Sequence, residues 1–390
     1  MKAVSKDTEL ALLMLSIILI LSISIDCYLN FDENNNLDEI NLKISTYWEL
    51  TVPIEIDGKG TNNWTWAEGQ TWFGGGIGTQ ANPYIIENVT IDVDNKFEYC
   101  ISIQNSGVFF IIKNCTVSNA NITGIFLGNV NNAKLINNYA INNDYLGINL
   151  VNCNNDIIAR NNVSFNIEGG IGLTNCTNNS ILNNTVHSNT GYGIGLGICV
   201  NNMISNNTVN SNNRYGIGLL NCNYNNISIN KVSDNTLGGI GLNNSHYNSI
   251  ESNFVNSNNG YGIGLTESSN NLFSSNIANN NQLDGIALGN CIYNTISKNI
   301  ANDNVNHGLT IAYSNNNIVI QNTLNNNDFH GLNLLFSNYN DITGNFANSN
   351  NNTGIWLTGY YNSILGNTAN SNNVNGIFAQ NCNDNNIDID

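Results

Sequence analysis

Five residues near the C-terminal end carry the types that bond-making chemistry needs. Asp284, His307 and His330 stand 23 residues apart from one another, and Asp303 and Asp328 fall in the same turn region. Two imidazoles and a carboxylate at equal steps suit a divalent metal, with His307, His330 and Asp284 as its ligands. Read instead as carboxylates alone, Asp284, Asp303 and Asp328 could divide the acid and base roles of glycoside hydrolysis. The plain alternative is that all five decorate a solvated turn. No cofactor is required by any motif, so a divalent metal is the one ion these residues suggest.

A second pattern lies upstream. Tyr192, Tyr215 and Tyr261 each precede a Gly-Ile-Gly-Leu, and Gly195, Gly218 and Gly241 fall between its Ile and Leu. If Ile and Leu point inward, the glycine between them points outward. A glycine strip edged by tyrosine rings suits a sugar chain, although tyrosines covering a turn would look the same. "GYGIGLG" is no phosphate loop, because such loops open a helix and nothing helical follows.

These residues must be positioned by whatever repeats every 23 residues. The step runs through Gly124, Gly147, Gly170, Gly193 and on to Gly354, with Gly376 one residue early. A fixed period of this length means a solenoid or array. Each unit has three apolar beats: Gly-Ile-x-Leu, an Ile eleven residues after the Gly, and a Val or Ala five residues later. None is long enough for a helix, and the density of Asn and Gly opposes one. The spacing predicts three short strands per coil, stacked so that neighbours bury what no unit can bury alone. About thirteen coils make a rod roughly 60 Å long at ~4.8 Å per coil.

Asparagine keeps the same step in two series, Asn138 to Asn345 and Asn143 to Asn350. An amide has both donor and acceptor, so identical side chains one coil apart can bond as a ladder. A charge in such a column would repel a like neighbour by about 0.9 kcal/mol even in water. Cys153, Cys176, Cys199 and Cys222 share another column with Ser245 and Ser268. Side chains one coil apart are too far for a disulfide, and alternation with serine reads as small inward filler.

Residues 1–27 differ in kind. After Lys2 and Lys6, the apolar run Leu10 to Ile25 is either a cleaved signal peptide or an N-terminal membrane anchor. Either sends the rest of the chain outside. Residues 28–46 read as a polar linker and 47–83, with Trp48, Trp64, Trp66 and Trp72, as an N-terminal cap. Residues 84–390 are the repeat array. The formal charge of −17 argues against nucleic acid as a partner. Membrane contact is expected only through the first segment. The rod is expected to be monomeric or to associate weakly end to end, since an open last coil is a pairing edge that Asp388 and Asp390 would blunt.

The segment "GIGTQANPYIIENVTID" and the unit "GIGLxNCxxNxIxxNxV" resemble the right-handed parallel β-helix proteins of the pectate-lyase-like class, and most closely the NosD-type repeats. The resemblance implies an all-β, single-stranded right-handed parallel β-helix. For function it implies three classes: polysaccharide lyases and hydrolases, periplasmic proteins of copper delivery, and surface rods. Lyases of this fold use a basic residue for proton abstraction beside calcium-binding acids, and Arg160 and Arg214 are not near the Asp284 cluster in sequence. The reading that follows is an extracellular or cell-surface protein that binds a polysaccharide or a cell-envelope component without catalysis. The alternatives are a carbohydrate-active enzyme and a metal-handling or purely structural rod.

Overall fold

Residues 48–388 are described by a computed structural model. They form a right-handed parallel β-solenoid of about thirteen turns, with three sheets of 14, 15 and 9 strands running along its sides. One coil shows the plan. Tyr192–Gly197 lies in the 14-stranded sheet, Met203–Ser205 in the 15-stranded sheet and Thr208–Asn210 in the 9-stranded sheet. The register is the sequence period itself: Ile194 pairs Ile217, Ile204 pairs Ile227 and Val209 pairs Val232.

These strands form because each carries one or two β-branched or branched apolar residues that fit the interior. Ile194, Leu196, Ile204 and Val209 are all buried. Removing each such side chain from water contributes about 1.5–3 kcal/mol, which no isolated coil could gather.

Each corner has a turning residue and an inward one. One residue at each corner takes positive φ, as Asn183 (57°) and Asn206 (55°) do. The ladder residues Asn184 and Asn207 are the next in sequence and are buried. The left-handed residue turns the chain, and the turn aims its successor inward. The two tasks therefore fall on neighbouring residues, and only the inward one is held to asparagine: the turning position is also Arg160, Ile229, Ser252 and Lys298 in other coils.

The ladders form as expected. Asn184 Nδ2 donates to Asn207 Oδ1 at 3.0 Å, and Asn207 Nδ2 to Asn230 Oδ1 at 3.0 Å. The same oxygens also accept the backbone N–H of the previous rung, as Asn207 Oδ1 does from Asn184 N at 2.9 Å. There is a third ladder that two series do not anticipate. It runs Asn179, Asn202, Asn225 and onward, with Nδ2-to-Oδ1 distances near 3.0 Å, and its first rung is Asp156. The cysteine column is a fourth: Cys153 N donates to Cys176 Sγ and Cys176 N to Cys199 Sγ, each at 3.4 Å, with Ser245 Oγ continuing it. The cysteines among the described residues are free thiols.

At the N-terminal end, Trp48–Leu50 and Ile54–Asp57 already add strands to two of the sheets. The helical turn Trp64–Ala67, capped by Asn63, lays Trp64 against Tyr84 and Phe110 at 4.8 and 5.0 Å. The indole N–H donates to Ser106 Oγ at 2.9 Å. Among the described residues no helix is long and apolar enough to cross a membrane. The apolar run at residues 10–25 lies outside them, as does Asp390.

The rod changes after Thr266. From Tyr99–Gln104 to Tyr261–Thr266 the strands of the 14-stranded sheet have six residues; beyond, they shorten to four, as in Ile286–Gly289, and then to three, as in Ile355–Leu357. The 9-stranded sheet ends at Phe254–Asn256, and only single bridges such as Phe254 to Ile277 continue it. The inner residue shrinks at the same point, from Val255 to Ala278 and Ala301.

Candidate functional site

The outer face of the 14-stranded sheet carries a groove of about 860 Å³. Its floor is the outward column between the inward Ile and Leu. Gly172, Gly195, Gly218, Gly241 and Gly264 pair in register along it, followed by Ala287 and Thr310. Five glycines in a row remove every Cβ from a stretch of sheet about 19 Å long at ~4.8 Å per strand.

The strip is not bare along its whole length. A Cβ on Gly218 would lie 2.7 Å from the Tyr192 ring, and one on Gly241 would lie 2.9 Å from Tyr215. Each tyrosine leans along the axis onto the glycine of the next coil. The missing side chain lets the ring lie close to the backbone. Gly195 and Gly264 remain open, with nothing nearer than 3.7 and 3.8 Å to a built Cβ. The result is a trough with flat aromatic surfaces and gaps between them. Tyr215 and Tyr261 are desolvated enough that burial holds their hydroxyls above the usual phenol range, and they stay neutral donors.

Charge enters at three places. Arg214 sits over Tyr192 with its Cζ 5.6 Å from the ring centroid, and Glu168 lies on the same wall. Asp284 closes the other end. Sequence distance separates Arg214 from Asp284, and the groove brings both to one face, three coils apart. Period alone did not point to Arg214, Glu168 or Thr310, because which wall a side chain leans over depends on corner geometry.

Asp284 is buried, and burial pushes its carboxyl up to about 6. The Thr310 hydroxyl, the His307 N–H and the Asn306 amide oppose that rise. Its Oδ1 accepts from Asn306 Nδ2 at 2.6 Å and from His307 N at 3.1 Å. His307 and His330 repeat the arrangement: His330 N donates to His307 Nδ1 at 3.2 Å, and Thr353 N to His330 Nδ1 at 3.3 Å. The column Asp284–His307–His330 is thus a ladder of side-chain acceptors, each capping a backbone N–H of the next coil. It begins where the strands shorten.

The two rings stack at 5.0 Å and 9°, and His330 stacks on Trp356 at 5.6 Å and 2°. Burial drives both imidazoles down, His307 to about 3 and His330 to about 4. They are neutral at physiological pH, with Nδ1 the acceptor and the proton on Nε2. Asn333 meets His307 Nε2 at 3.3 Å, and the amide orientation that turns its oxygen to Nε2–H satisfies that proton.

The arrangement does not suit a metal. Both Nδ1 atoms are engaged, the rings are parallel rather than convergent, and no three of His, Cys, Asp and Glu among the described residues are grouped to hold an ion. Asp303 and Asp328 are exposed corner residues and do not line the groove. Asp303 takes a corner φ of 57°.

Comparison with known proteins follows the fold. Solved structures similar to the chain include two A-modules from Azotobacter vinelandii, of the mannuronan C-5 epimerases AlgE4 and AlgE6. Each has 12% identity and a TM-score of 0.50, covering 76% and 79% of this chain and 90% and 89% of theirs. A double mutant of the periplasmic alginate epimerase AlgG has 14% identity and a TM-score of 0.50, covering 78% of this chain and 85% of that one. No curated protein matches by sequence. At such identities the likeness is one of fold, and nothing narrows it to the NosD-type repeats. The model for the right-handed β-helix region matches residues 75–220 and 198–347, and the chain belongs to that family.

Proposed function

We propose that the chain is an exported glycan-binding β-helix whose Tyr–Gly groove holds a polysaccharide lying along the rod. The groove itself carries the reading: a glycine floor about 19 Å long, at ~4.8 Å per coil, beneath Tyr192, Tyr215 and Tyr261. Sugar rings present flat apolar faces and hydroxyl rims, and tyrosines offer a flat face and a polar edge in return. The epimerase names belong to proteins that act on polyuronates, and they support a polysaccharide as ligand class. Charge favours a neutral or sparsely charged one. The groove has a single cation, Arg214, against Glu168 and Asp284, in a chain of net charge −17.

One observation favours a second reading, a carbohydrate-active enzyme. Asp284, raised to about 6, could hold a proton for a leaving oxygen. Among the described residues, however, the one other carboxylate that lines the groove is Glu168. Glu168 lies about five coils away, roughly 24 Å at ~4.8 Å each, beyond the ~5–9.5 Å that two-carboxylate hydrolysis uses. Binding without hydrolysis is the better fit.

A glycan array probed with the full chain tests this. Retention of a polysaccharide that Tyr192→Ala and Tyr215→Ala each weaken about tenfold supports the groove. Variants that bind like the parent would sink it. Reducing-end release that Asp284→Asn abolishes would establish the enzyme instead.

A further inference from the structure

Beyond the glycine trough, the same sheet face holds a second concavity of about 500 Å³, walled by Phe329, His330, Asn333, Thr353, Trp356 and Phe378. The outward column that is glycine upstream becomes Asn333, Trp356 and Phe378, paired in register. This cavity is therefore lined by rings where the first is floored by backbone.

Its polar groups are few and fixed. His330 is buried, and its Nδ1 accepts from Thr353 N–H at 3.3 Å. A neutral imidazole that accepts at Nδ1 carries its proton on Nε2. That Nε2 has no hydrogen-bond partner among the described residues. Stacking between His307 and Trp356 prevents the ring from turning away. Asn333 is 7% exposed, and one end of its amide bonds His307 while the other end is buried without a partner. A buried amide half-satisfied in this way is costly to leave so. No Lys, Arg, Asp or Glu lines the cavity.

A concave apolar site with a few fixed polar groups is the usual form of a small-ligand pocket. We propose that this cavity is a second, separate binding site for a single neutral sugar ring, packed on the Trp356 indole and hydrogen-bonded by His330 Nε2–H and the Asn333 amide. Indole and phenyl surfaces match the apolar face of a pyranose. The imidazole N–H matches a ring hydroxyl, and the absence of any cation selects against a uronate. The site is independent of the groove, whose floor and tyrosines lie upstream of it.

The probes are the methyl glycosides of glucose, galactose and mannose, with methyl glucuronide as their charged counterpart. Each is titrated against the full chain, followed by tryptophan emission and by saturation-transfer NMR. We expect at least one neutral glycoside to shift the emission at millimolar concentration, and the glucuronide to bind at least tenfold more weakly. Trp356→Ala should abolish the saturation transfer. His330→Asn, which keeps an acceptor for Thr353 N–H but removes the Nε2 donor, should weaken it about tenfold with an unchanged melting temperature. Tyr192→Ala should leave it intact, which separates this site from the groove. Three results would overturn the proposal: no response to any neutral glycoside, equal or tighter binding of the glucuronide, or undiminished binding by Trp356→Ala.

Discussion

Asp156 stands where every later rung of the third ladder is asparagine, and its surroundings show what one oxygen in place of one nitrogen does. Oδ1 keeps the ladder role and accepts from Ala133 N at 2.6 Å. Oδ2 takes the place of an amide nitrogen and is buried without a partner. In the next rung the amide nitrogen donates to Cys153 O and to Asn202 Oδ1, each at 3.0 Å. By the same geometry Oδ2 faces Val130 O and Asn179 Oδ1, two acceptors. A proton resolves the conflict, and burial accordingly pushes the carboxyl up to about 8. The folded state then holds a proton that the unfolded chain, titrating near 3.9, releases. Stability is full below that pH and falls by about 1.4 kcal/mol per unit as pH rises toward 8, on the order of 4 kcal/mol by neutrality. We expect Asp156→Asn to match the parent's melting temperature near pH 4 and to exceed it increasingly up to pH 8. Parallel melting curves across that range would remove the protonated rung. His307 runs the other way. Its folded value near 3 lies below the ordinary 6.5, so its contribution is present above 6.5 and is lost as pH falls toward 3.

Within a coil, glycines two residues apart play opposite parts. A Cβ on Gly193 would meet Val209 Cγ1 at 2.4 Å and Gly216 O at 2.6 Å, both packed in place. A Cβ on Gly195 meets nothing nearer than 3.7 Å. Gly193→Ala should therefore cost several kcal/mol, on the order of other overpacked cores or more, while Gly195→Ala should stay within about 0.5 kcal/mol. Urea titration of the two variants separates them. The ladders give a matching pair. Asn207→Asp removes donors to Asn230 Oδ1, Ile181 O and Ser205 O, and should cost at least about 3 kcal/mol; Asn210→Asp, on the outer face, should be near neutral. Equal midpoints for that pair would contradict the ladder. Much of this scale was legible beforehand, because period alone reveals which residues align. The 23-residue Gly and Asn series give coil, strand count and two ladders. Period does not tell which way an aligned side chain leans. Tyr192 reads as an edge to a bare strip and proves to lie over Gly218. His307 and His330 read as convergent ligands and prove to be parallel caps on backbone N–H groups. The third ladder stands in the repeat unit as the Asn three residues after the Cys, but spacing alone does not say that its amides bond, and its first rung is an acid.

Over the whole rod, each coil touches only its neighbours, so stability is a sum of local terms. Asp156 and His307 lie between six and seven coils apart, roughly 30 Å at ~4.8 Å per coil. They share no ladder and no sheet partner, and their titrations have opposite sign. A rise in pH toward 8 should therefore loosen the coils around Asp156 first, and acid those around His307, where the 9-stranded sheet has already thinned to single bridges. Asp284, raised to about 6 beside His307, offsets part of the acid effect between about 4 and 6. Hydrogen exchange resolves the two ends. We expect amides of residues 133–180 to lose protection from pH 5 to 8, and those of residues 307–353 to lose it from pH 6 to 4. Asp156→Asn should cancel the first change and leave the second. His307→Asn, whose amide oxygen still accepts from His330 N–H, should leave the first change and shrink the second, whose remainder belongs to His330, itself held down to about 4. The double variant should show the sum of the two single effects to within about 0.5 kcal/mol, as for distant sites without shared partners. A coupling well beyond that would mean the rod opens as one cooperative unit, and that the change after Thr266 is no boundary in its folding.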